Sequence, residues 1–96
     1  MNQPKIAVMD FFCGITNKSA QALISLVNDV AAGQADKIII RLSSCGGGLA
    51  PAFAAYHFLR SVNIPITMYN HGNVESFAVL LYLAGDTRIA ASHIVL

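Results

Sequence analysis

Gly72-Asn-Val-Glu-Ser-Phe-Ala-Val-Leu-Leu-Tyr-Leu-Ala-Gly85 sets one serine, Ser76, between a glycine turn and an apolar run that ends in a second glycine. The run reads as a buried helix over Val74 to Ala84. A hydroxyl at the first turn of such a helix can be aimed into a cleft beside free backbone N–H groups. Upstream, Lys37-Ile-Ile-Ile-Arg-Leu42 reads as a strand buried on both faces, as in a parallel sheet, and runs into Ser43-Ser-Cys-Gly-Gly-Gly48. A glycine triplet after a strand offers bare amides of the kind that hold an oxyanion. A serine and an amide-rich bend together point to acyl transfer, although Ser76 could equally cap the helix and Gly46 to Gly48 could be a plain loop.

The rest of the chain falls into place around these two stretches. Lys5 to Phe12 is β-prone and stops at Gly14. Ala20, Leu23, Ile24, Val27, Val30 and Ala31 then recur at helical spacing, with Asn17 or Ser19 as the cap and Gly33 as the end. Ala50 to Val62 reads as a helix with Pro51 in its first turn. Ile66 to Tyr69 is a short strand, Thr87 to Ala90 starts another, and His93 to Leu96 begins one more. Strand and helix alternate, which argues for βαβ units on a mainly parallel sheet with the site beyond the strand carboxyl ends.

Composition narrows the class. The 96 residues make one domain, residues 1–96, with 55% apolar and 11% charged residues. So much apolar content in a small domain implies burial against a partner. A net charge of +1, with scattered Lys and Arg, gives no footprint for nucleic acid. No run approaches a membrane span and no secretory signal opens the chain, so cytoplasmic is the expected location. Cys13 and Cys45 form neither a disulfide framework nor a metal-binding spacing, and no metal or cofactor is expected. Cys45 reads as a small buried hydrophobe, His57 and His71 as structural or surface residues, and Asp10, Asp29, Asp36 and Asp86 as solvated charges. Ser43 and Ser44 read as turn or cap residues.

From Lys5 to Leu96 the chain resembles the catalytic core of the Clp protease proteolytic subunit, within the ClpP/crotonase superfamily. The strand followed by Ser-Pro-Gly-Gly in that family is similar to Leu42 through Gly47, and its Gly-x-Ala-x-Ser turn with an apolar helix is similar to Gly72 through Gly85. The resemblance implies Ser76 as nucleophile and the backbone N–H groups of Gly47 and Phe77 as oxyanion hole. It also implies peptide or unfolded-protein substrates, a homo-oligomeric ring and an ATP-dependent unfoldase partner. The family histidine would fall just past Leu96 and the aspartate later still, with His93 short of that spacing. The 96 residues alone are therefore expected to be inactive. Cys45 stands where the family has proline, and Glu75 where it has a small residue. The crotonase branch, whose members act on acyl-CoA, also resembles Pro65, Gly72 and Asp86-x-Arg88-Ile-Ala90, but Leu81 occupies the position of the hydratase glutamate. A third possibility is a non-catalytic assembly domain.

Overall fold

The computed structural model describes residues 3–90, so His93 to Leu96, and with them the last expected strand, lie outside the described residues. Strands and helices alternate as β1 (Ile6–Phe11), α1 (Asn17–Ala32), β2 (Lys37–Ser44), α2 (Leu49–Ser61), β3 (Ile66–Val74), α3 (Ala78–Leu83) and β4 (Thr87–Ala90). The sheet has the order β1-β2-β3-β4, and every neighbouring pair is parallel. Consecutive parallel strands joined by helical crossovers of one hand carry those helices on one face. The side chains record this arrangement. Met9, Phe11, Ile38, Ile40 and Leu42 are buried together with Leu23, Val27, Ala55 and Leu59 of α1 and α2.

The opposite face is open. Ile6 and Val8 are exposed, and Ile39, Arg41 and Tyr69 are only half-buried. This corrects the reading of β2 as buried on both faces: its residues alternate between buried and partly exposed positions. Asp10 and Arg41 face each other in register and form a two-pronged pair, Nε to Oδ1 at 2.5 Å and Nη2 to Oδ2 at 2.9 Å. The hydrogen bond and then the charge of Asp10 raise the pKa of the guanidinium.

Other local expectations change too. The cap of α1 is Thr16, not Asn17 or Ser19. Its hydroxyl accepts from the Ser19 N–H while the Ser19 hydroxyl accepts from the Thr16 N–H, a reciprocal capping box. Three of the aspartates expected to be merely solvated have partners: Asp10 as above, Asp36 at the Lys5 N–H (2.7 Å), and Asp86 at the Ile66 N–H (2.8 Å). Cys45 is exposed rather than buried. Most consequential for the site, β3 runs on to Val74, and α3 starts only at Ala78, not at Val74. Among the described residues no helix is long and apolar enough to cross a membrane, and no group of His, Cys, Asp and Glu could hold a metal ion.

Candidate active site

Two loops meet at the carboxyl ends of β2 and β3. The first, Cys45 to Gly48, joins β2 to α2. It is held by the chain after β1: Ile15 donates its N–H to the Gly46 carbonyl at 2.8 Å, and the Gly48 N–H donates to the Ile15 carbonyl at 3.0 Å. Ser44, a residue 3% exposed, closes the turn with its hydroxyl, which accepts from the Gly46 N–H at 3.1 Å. Gly46 has φ +98°, a region that favours glycine. A side chain on Gly47 would collide with the Ile15 carbonyl.

The second loop is the step from β3 to α3. Glu75 continues the ladder by donating its N–H to the Ser44 carbonyl at 3.1 Å. Ser76 then turns the chain sharply at φ +55°, a left-handed conformation that is rare for a residue with a side chain. The Glu75 and Ser76 carbonyls accept from the N–H groups of Ala78 and Val79 at 3.0 and 3.2 Å, which starts α3. Ser76 itself does not cap the helix through its side chain; the capping position is Phe77. The hydroxyl-bearing residue is exposed.

The loops touch at Gly46. A Cβ placed there would lie 2.7 Å from Ser76 Cβ and 3.2 Å from the Phe77 nitrogen. Gly46 is therefore in direct contact with the serine turn. Among the described residues neither the Gly47 nor the Phe77 N–H has a protein acceptor. The two loops that meet at Gly46 thus carry two amides without protein acceptors and an exposed serine on a positive-φ strand-to-helix turn.

The two described histidines make aromatic contacts. His71 stacks on Phe12 with ring centres 5.5 Å apart and leans on Tyr69, while His57 packs against Phe53 and Tyr56 on α2. Two contributors escape a sequence reading, and a third is expected there only as a turn or cap residue. Ile15 clamps the glycine bend, Asn70 accepts the Gly72 N–H at 3.2 Å through its buried side chain, and Ser43 accepts the Asn73 N–H at 3.1 Å. Only Ser43 carried a local signal, since hydroxyls near glycines commonly bond turn amides.

The features define a class: a parallel α/β domain with a serine on a tight strand-to-helix turn, pressed against a glycine bend. The sequence matches the Clp protease family over residues 5–95, and the chain belongs to that family. Among solved structures it is similar to a variant of the 1510-N membrane-bound stomatin-specific protease, with 15% identity and a TM-score of 0.86 over 94% of this chain and 45% of that one. It is also similar to the ClpP protease catalytic domain from Plasmodium falciparum, with 21% identity and a TM-score of 0.79 over 86% and 53%. ClpP1 from Listeria monocytogenes gives 18% identity and a TM-score of 0.78 over 81% and 46%. The chain thus spans about half the length of these proteins. No curated protein matches the sequence.

Proposed function

We propose that this chain carries the nucleophile and the oxyanion hole of a serine peptidase, with Ser76 as nucleophile and the Gly47 and Phe77 N–H groups as donors. The observation that carries the reading is the contact at Gly46. A serine held at φ +55° against a bend with no room for a side chain is strained, and strain of this kind is kept where it aims a reacting group. Membership of the Clp protease family supports the same chemistry.

In the proposed reaction Ser76 Oγ bonds to a peptide carbonyl carbon and gives its proton to a base. The carbonyl oxygen takes up the negative charge opposite the two amides. Collapse then breaks the C–N bond, the amine leaves with the proton, and water later cleaves the acyl ester. In this reading the base comes from outside the described residues, where the family resemblance puts its histidine, and among the described residues no hydrogen bond joins His57 or His71 to Ser76. The 96 residues alone are accordingly inactive or nearly so. Peptide or unfolded-protein substrates, a homo-oligomeric ring, an ATP-dependent unfoldase and a cytoplasmic setting complete the reading. Leu81 packs into the core at 1% exposure, which agrees with a peptidase better than with an acyl-CoA hydratase.

A fluorophosphonate probe applied to the full gene product tests this. It labels the parent protein, and Ser76→Ala abolishes the signal. Labelling that persists in Ser76→Ala would remove this residue from the mechanism.

A further inference from the structure

The pairing of β2 with β3 is irregular just where the two loops must be aligned. Leu42 faces Asn70 and Ser44 faces Val74, so four residues of β3 advance against two of β2. A regular ladder cannot fix the distance between the strands' ends across such a slip. Side chains take over. Asn70 Oδ1 holds the Gly72 N–H within β3, and the Ser43 hydroxyl reaches from β2 to the Asn73 N–H, after which the ladder resumes at Glu75.

Gly72 is shaped to this contact. A Cβ on Gly72 would lie 2.6 Å from Ser43 Oγ and 3.3 Å from Ser43 Cβ. The missing side chain of one strand is the space that the hydroxyl of the other occupies. Three residues beyond Asn73 comes Ser76, and three beyond Ser43 comes Gly46, the two that touch.

We propose that Ser43 is a positioning residue, whose hydroxyl ties β2 to Asn73 across the space left by Gly72 and so sets the seat of the Ser76 turn on the glycine bend. The assignment rests on the peptidase reading of Ser76. Loss of the tether lets the serine turn drift relative to its oxyanion donors, and ångström-scale misplacement costs up to about 10²-fold in rate.

The test follows fluorophosphonate labelling of the full gene product against probe concentration. In Ser43→Ala the maximal labelling rate falls about 10- to 100-fold while half-saturation and melting temperature hold. Ser43→Thr, which keeps the hydroxyl, restores the rate. Gly72→Ala lowers the rate as Ser43→Ala does, and the double variant is no slower than Ser43→Ala, because the atom crowded by the new methyl is gone. An unchanged rate in Ser43→Ala, a failed threonine rescue or additive losses overturn the proposal. Amide exchange gives a readout independent of turnover: the Asn73 N–H exchanges at least about tenfold faster in Ser43→Ala, and an unchanged rate there overturns the tether. If the parent protein is not labelled, or Ser76→Ala still is, the peptidase reading falls and takes the positioning role of Ser43 with it. Exchange at Asn73 then reports only whether the tether exists.

Discussion

Ser76 stands at φ +55° with a side chain that gains nothing from that conformation in the fold itself. A left-handed L-residue costs roughly 1–2 kcal/mol, whereas glycine escapes that cost but loses about 0.5–1 kcal/mol of chain entropy. Ser76→Gly is therefore expected to be more stable than Ser76→Ala by about 0.5–1 kcal/mol, although both lose the hydroxyl. Urea denaturation of the two variants decides it, and equal midpoints would mean that the turn carries no strain. The neighbouring Glu75 is exposed, so water and salt screen its carboxylate from the oxyanion that the proposed reaction would develop. Its backbone, not its charge, enters the site.

At the scale of elements, α1 shows how a cap is won. Thr16 lies before both expected caps, Asn17 and Ser19, and its box partner is Ser19 instead of the usual Glu or Gln. Replacing Thr16 by alanine is expected to cost about 1 kcal/mol, read as a lower melting temperature, with Thr16→Ser nearly neutral. A Thr16→Ala protein as stable as its parent would show that the Ser19 hydroxyl, which also bonds the Gly14 carbonyl, holds the helix start alone. The same comparison explains what could be read in advance. Helices α1 and α2 and the apolar strand β2 were legible because periodicity and glycine or proline stops are local signals. The boundary between β3 and α3 was not. Asn70-His-Gly-Asn73 has poor strand propensity, yet β2 holds it through the Asn73 and Glu75 N–H groups. Val74 looks helical by its apolar followers, yet it pairs with Ser44 in the sheet. The meeting of Ser76 with Gly46 was foreshadowed by the two glycine motifs, whereas the Ile15 clamp depends on a contact across some thirty residues and left no local trace.

Among the described residues the sheet is covered by helices on one side. Along the open face Val8 pairs with Ile39, and Tyr69 sits between Arg41 and Ile89, so apolar side chains surround the Asp10–Arg41 pair. Val8 is 55% exposed and Ile6 53%, and the helical side adds exposed Leu49, Phe53, Val79 and Leu83. A net charge of +1 provides almost no repulsion between copies. The 96-residue polypeptide should therefore associate with itself at concentrations of tens of micromolar and bind a hydrophobic dye. Light scattering after size exclusion would show a mass that rises with loading. Val8→Lys removes apolar area from the β1 edge of the open face without touching the core between sheet and helices, so it should shift the distribution toward monomer while circular dichroism stays unchanged. Should Phe53→Lys on α2 have that effect and Val8→Lys none, the contact runs through the helical side and the bare strands are not what draws copies together. A polypeptide that stays monomeric and dye-silent at about 100 μM would mean that neither surface is apolar enough, over a continuous area, to drive association at all.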